Sequence, residues 1–140
     1  MRLVPDLPSP IVVTAAVIER DGYFLVARRL DGTHLAGCWE FPGGKCEPTE
    51  TPSDCLVREI REELNAAVHV GGEILRTSYR YPDREVELRF FRCALVGEPV
   101  PMLGQQIRWV SRSDLRTLDF PPADRELVDL LMAKGAGANL

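Results

Sequence analysis

The segment FPGGKCEPTETPSDCLVREIREEL, residues 41–64, begins beside a glycine pair and ends with three glutamates inside about one helical turn. Pro52 suits the first turn of a helix, Thr51 suits the cap before it, and Asp54 favours the same end electrostatically. A helix is therefore expected from about Pro52 to a stop at Asn65, a residue that tolerates the left-handed conformation. At about 100° per residue, Leu56, Val57, Ile60 and Leu64 share one arc while Glu59, Glu62 and Glu63 share the next. Glu59 and Glu63 are four residues apart, a spacing at which like charges repel by about 0.2–0.5 kcal/mol.

A solvated helix face is the plain explanation of an acidic triple. Arg58 offsets part of the repulsion through its i, i+4 relation to Glu62, but the Glu59–Glu63 pair stays uncompensated. A divalent cation would compensate it. Carboxylates without neighbouring His or Cys suit Mg²⁺, with Mn²⁺ a second possibility, rather than zinc. Upstream, Gly43 and Gly44 either form an ordinary turn or let the backbone approach a ligand closely. Glu50 stands where it can reach Arg58 and pin the loop to the helix, or else face solvent.

Outward from this segment, IVVTAAVIE and YFLVARR read as strands over about 11–19 and 23–28 joined by an Asp-Gly hairpin turn. Residues 30–39 read as a loop of the kind that carries function. Strands follow over about 67–79 and 85–96, paired antiparallel, and QIRWVS is a further short strand before one helical turn at SRSDL. PPADRELVDLLMAKG, opened by proline and closed by Gly135, is a second helix. The expected fold class is α+β, an α/β/α sandwich with a mixed sheet between the two helices. Residues 1–140 are expected to form a single domain, with 1–10 an extended lead-in and 135–140 a flexible tail.

The 140 residues are 45% hydrophobic and 27% charged, with a formal net charge of −4. A chain of this size buries about two-thirds of its unfolded surface, enough for one core. Its acidic balance argues against duplex nucleic acid as a partner, and the lack of an apolar run of about 20 residues argues against a membrane span. MRLVPDLPSP has no apolar core of the signal-peptide kind, so a cytoplasmic location is expected. Cys38, Cys46, Cys55 and Cys93 form no C-x-x-C pair and are expected as reduced thiols, mostly buried.

Residues Gly44 to Ala66 resemble the Nudix signature G-x5-E-x7-R-E-U-x-E-E-x-G-U, where U is a bulky aliphatic residue. Gly44, Glu50, Arg58, Glu59, Ile60, Glu62 and Glu63 match it, while Asn65 and Ala66 depart from its last two positions. GCWEFPGGK, LVARR and FPPAD extend the likeness toward the MutT-like branch, whose members include oxidised-guanine and cytosine nucleoside triphosphate pyrophosphohydrolases. The resemblance implies the Nudix fold and Mg²⁺-dependent hydrolysis of a nucleoside triphosphate to monophosphate and pyrophosphate. It implies that Glu59, Glu62 and Glu63 bind metal, with the Gly43 carbonyl region helping, and that Glu50 and Arg58 form a supporting ion pair. Either Glu59 or Glu62 is expected to take the proton from the attacking water.

Many relatives supply a further carboxylate from the segment before the strand around Trp109. PMLGQQIRW offers none there, because Leu103, Gln105 and Gln106 are neutral. Arg29 resembles a nucleotide-contacting arginine of the family and otherwise ends a strand in solvent. Phe41 stands either against a base or in the core. Asp124 falls where relatives read the base, and an ionised aspartate accepts from N–H edges such as those of guanine or cytosine; its alternative is to cap the last helix. Trp39, His34 and His69 read as structural.

Nucleotide-pool sanitising of 8-oxo-dGTP or cytosine nucleotides is thus the expected activity. A hydrolase of ADP-ribose or other nucleoside diphosphate derivatives, and a non-catalytic nucleotide-binding module, are the alternatives. The oligomeric state is expected to be monomer or homodimer.

Overall fold

The strand that organises the molecule is β1 (Ile11–Arg20), because its alternate residues bury on opposite sides of one sheet. Ala15 and Val17 point into one apolar cluster and Ala16 and Ile18 into another. The computed structural model describes residues 9–133, so most of the lead-in and all of the expected tail over 135–140 lie outside the described residues.

β1 turns through Asp21 and Gly22 into β2 (Tyr23–Arg28). Both turn residues have positive φ, 54° and 83°, as the tight Asp-Gly hairpin requires. Two short strands absent from the sequence expectation follow, β3 (Trp39–Glu40) and β4 (Gly43–Lys45). The helix α1 (Pro52–Leu64) has Thr51 as its N-cap, accepting from the Asp54 N–H, and Asn65 as a left-handed C-cap with φ 50° and ψ 41°. Then come β5 (Ala67–Tyr81), β6 (Arg84–Val96) and β7 (Ile107–Ser111), a 3₁₀ turn over Arg112–Thr117, a second over Pro122–Asp124, and α2 (Arg125–Ala133).

The sheet is mixed. β6 lies parallel to β1 along Ile11–Ile18 and antiparallel to β5. On its other edge β1 pairs antiparallel with β4 over Val13–Ala15 and with β2 at Glu19 and Arg20, while β2 pairs with β3 and β7. The glycine pair is therefore part of a strand rather than a free turn: Gly43 opposes Ala15 and Gly44 opposes Thr14. A side chain at Gly43 would place its Cβ 2.8 Å from the Ala15 Cα, so close pairing rather than chain reversal selects glycine.

Helices cover both faces, as the sandwich expectation requires. Leu56, Ile60 and Leu64 of α1 are fully buried against Ala16, Ile18 and Leu25, each contributing about 2 kcal/mol of hydrophobic burial. Val57, expected on the same arc, is 40% exposed, because the buried stripe runs through Cys55 and Leu56 instead. On the opposite face Leu127, Val128 and Leu131 of α2 pack with Phe24, Phe41 and Phe90.

The cysteines depart from expectation. Cys46, just after β4, and Cys55, in the first turns of α1, form a disulfide with Cα atoms 5.3 Å apart; Cys38 and Cys93 are free. The partners are nine positions apart in sequence, a spacing that signals nothing by itself, but the fold lays the end of β4 directly on the helix start.

Candidate functional site

Where β4 meets α1, a cavity of about 680 Å³ opens, within the range of small-molecule sites. Glu59 and Glu63 line it from the helix, Glu40 from β3, Arg29 from the end of β2, and Asp124 from the 3₁₀ turn before α2. Four elements distant in sequence thus deliver four carboxyl groups and a guanidinium to one space.

Arg58 organises the helix side. Its Nε donates to Glu50 Oε2 at 2.7 Å and its Nη2 to Glu50 Oε1 at 2.9 Å. Its Nη1 donates to Glu59 at 2.7 Å and to Glu62 at 3.2 Å, and Nη2 also reaches the Lys45 carbonyl. One side chain so ties the loop after β4, the helix and two of its glutamates together. The hydrogen bonds from Arg58 hold the Glu50 carboxyl down at about 2.

Glu59 and Glu63 stand one helical turn apart, and both line the cavity together with Gly43 and Gly44. Burial, followed by the Glu59 contact and the charge of Glu40, raises the Glu63 pKa well above the usual carboxylate range. Gly44 lies so close to Glu59 that an added Cβ would overlap the Glu59 carboxyl group and stand 3.1 Å from its Cγ. The paired glycines thus serve different contacts: Gly43 admits β1, and Gly44 leaves room for the Glu59 carboxylate.

Glu62 differs from the other two. Its side chain is 56% exposed, it is bound by Arg58, and it is not among the residues lining the cavity. The expected trio is therefore a pair facing the cavity plus a third glutamate on the adjoining surface. Among the described residues no three acidic, His or Cys side chains stand together in a metal-holding arrangement. The donors that α1 turns toward the cavity are nonetheless the carboxylate oxygens of Glu59 and Glu63, hard ligands that suit a divalent cation of the Mg²⁺ kind.

Across the cavity, Arg29 donates through Nη1 to Glu40 at 2.8 Å and through Nε to the His34 carbonyl. Burial raises the Glu40 pKa against the lowering effect of Arg29. Asp124 is 7% exposed, and burial followed by the nearby Glu40 charge pushes its carboxyl up to about 7. Phe41 is a core residue that also lines the cavity, stacked on Phe120 with ring centroids 5.3 Å apart.

Glu40, His34, Tyr81 and Leu103 also line the cavity and were not singled out as site residues by the sequence. His34, expected to be structural, packs edge-on to Tyr81 at 5.2 Å on the cavity wall. Glu40 had one legible signal, a carboxylate between two aromatics, Trp39 and Phe41, that are both buried.

A mixed sheet between two helices, with a carboxylate-bearing helix beside a nucleotide-sized cavity, defines the class of the molecule. The particular family follows from comparison: the NUDIX domain description matches residues 13–130, and the chain belongs to that family. It is 32% identical over 118 residues to the 8-oxo-dGTP diphosphatase of Escherichia coli K12, covering 84% of this chain and 92% of that protein. It is 36% identical over 124 residues to the CTP pyrophosphohydrolase of the same organism, covering 88% and 92%. Among solved structures, the E. coli ORF135 protein superposes with a TM-score of 0.80 at 36% identity, covering 90% of this chain and 91% of that one.

Proposed function

We propose that this Nudix hydrolase converts a nucleoside triphosphate to its monophosphate and pyrophosphate, with oxidised-guanine or cytosine nucleotides as the substrates to be cleared. The observation that carries the reading is the Glu59–Glu63 pair at the cavity edge, facing Arg29, Glu40 and Asp124 across a space of nucleotide size. The 8-oxo-dGTP diphosphatase and CTP pyrophosphohydrolase relatives support the substrate class.

Nudix hydrolases act with a divalent metal ion, and the carboxylate oxygens that α1 presents favour Mg²⁺ over softer cations. When bound, the cation supplies charge compensation for the phosphate oxygens as water attacks phosphorus in line. Glu59 and Glu63 would hold it, with the Gly43 backbone beside them and Glu62 able to join only by leaving Arg58. Arg58 keeps Glu59 oriented toward the cavity and offsets the charge of the cluster. Of the two helix carboxylates proposed as the base, Glu59 lines the cavity and Glu62 does not, so we assign proton removal from water to Glu59.

At the far end of the cavity, Asp124 and Glu40 present acceptors to the N–H edge of a base, and Arg29 fixes Glu40 in place. Phe41 supports that end from the core. A panel of 8-oxo-dGTP, dCTP, 5-methyl-dCTP, ADP-ribose and the ordinary nucleotides, with products identified, tests the reading. Pyrophosphate with a monophosphate supports it, AMP with a sugar phosphate replaces it by the diphosphate-derivative reading, and binding without turnover by the non-catalytic one.

A further inference from the structure

The last turn of α1 is completed by a distant part of the chain. A helix leaves its final carbonyls without internal partners, and here Asn65 N–H returns only to the Arg61 carbonyl. The Leu64 carbonyl accepts from Val100 N–H at 2.8 Å. The Glu63 carbonyl accepts two hydrogen bonds, from Met102 N–H at 3.0 Å and from the side-chain Nε2 of Gln105 at 3.1 Å.

Gln105 is one of only three buried polar or charged side chains among the described residues, the others being Thr14 and Asp124. The opposite end of its amide, Oε1, accepts from Leu103 N–H at 2.9 Å. Both partners are backbone groups of fixed polarity, so the orientation of the amide follows from the contacts themselves. Gln105 therefore spans from the 101–104 turn to the backbone of the residue that carries one of the two cavity-facing helix carboxylates. Leu103, Gln105, Glu59 and Glu63 all line the same cavity.

We propose that Gln105 is a positioning residue for Glu63. It replaces no carboxylate ligand, since its donor end is committed to the Glu63 carbonyl and its acceptor end to the Leu103 amide. It anchors the turn that bears Glu63, and it sets Leu103 as an apolar wall beside the carboxylate pair. Segment 100–105 here acts as a brace for the carboxylates of α1. The proposal rests on the reading of Glu59 and Glu63 as cation holders. Because Met102 N–H stays on the same carbonyl, losing the Gln105 donor is expected to loosen the turn without unfolding the helix.

Gln105→Glu keeps the shape and an acceptor for Leu103 but sets an oxygen against the Glu63 carbonyl. Gln105→Met keeps the bulk and removes both contacts. Mn²⁺ affinity of the nucleotide-free full chain, read from the spin-resonance signal of free Mn²⁺, is compared for wild type, both variants and Glu59→Gln, together with thermal midpoints, kcat and KM. Both Gln105 variants are expected to bind Mn²⁺ about tenfold more weakly and to lower kcat, with nucleotide KM unchanged and the fold retained. Affinity lost in Glu59→Gln but unchanged in the Gln105 variants overturns the role of Gln105 alone. Absence of Mn²⁺ binding by the wild type, or binding indifferent to Glu59→Gln, overturns the underlying reading and this one with it. If one variant fails to fold the other decides, and failure of both overturns a positioning role in favour of a purely structural one.

Discussion

Arg58 grips Glu50 through two parallel hydrogen bonds of 2.7 and 2.9 Å while its remaining donors hold Glu59 and Glu62. A fork of this kind fixes both the distance and the plane of its carboxylate partner, which a lysine ammonium does not. Arg58→Ala and Arg58→Lys are both expected to lower kcat by about tenfold or more, with lysine rescuing little. Steady-state kinetics check this, and a lysine variant with wild-type kcat contradicts it. The brace also has a pH signature. Glu50 is held at about 2 against an ordinary 4.5, so the stability it lends is present above pH 4.5 and lost as pH falls through that interval.

The three glutamates are expected to separate in effect. Glu59→Gln should reduce kcat by about a hundredfold or more, as removal of a general base does. Glu63→Gln should fall in the same direction and raise the metal concentration needed for activity. Glu62→Gln, changed outside the cavity, should lose less than about tenfold. Metal titrations of the three variants read the order directly, and equal losses in all three contradict the division between cavity and surface.

Asp124 carries a prediction in pH. Its ordinary value is 3.8 and burial raises it to about 7, so the folded state holds a proton that the unfolded chain releases. The sign follows: the contribution favours folding below pH 3.8 and is lost as pH rises to about 7. Urea denaturation at steps across this window should show wild-type stability falling relative to Asp124→Asn, whose amide does not titrate. Parallel profiles for the two proteins contradict the assignment.

Cys46 and Cys55 predict a count of thiols. Alkylation of the unfolded, unreduced chain should label two of the four cysteines, Cys38 and Cys93, and all four after reduction. Closing so short a loop contributes about 2–3 kcal/mol, so reduction or Cys46→Ser should lower the thermal midpoint by roughly 5–10 °C. Four labelled thiols without reductant would exclude the bridge.

Much of the architecture was legible because local signals agreed with the tertiary outcome. Thr51, Pro52 and Asn65 bound α1 where their capping chemistry placed it, and Asp21-Gly22 closed the first hairpin. The sandwich followed from strands that bury both faces. Short strands β3 and β4 were not legible, since two or three residues carry no periodicity and their pairing with β2 and β1 is long-range. The same limit hid the disulfide, which depends on how β4 lies on α1 rather than on cysteine spacing. At the site, identity and spacing singled out Glu59, Glu63, Arg58 and Glu50. They did not separate Glu62, because the difference lies in which way the helix is rolled against the sheet, which leaves Glu62 outside the cavity. Glu40 and Gln105 escaped because their importance comes from what they face across the fold.

The most direct test is product analysis for the purified chain with 8-oxo-dGTP and dCTP in the presence of Mg²⁺, alongside Glu59→Gln. Release of pyrophosphate and the matching monophosphate, abolished by Glu59→Gln and by chelation, is the predicted result. Phosphate release without pyrophosphate, or turnover that persists at the wild-type rate in Glu59→Gln, would contradict it.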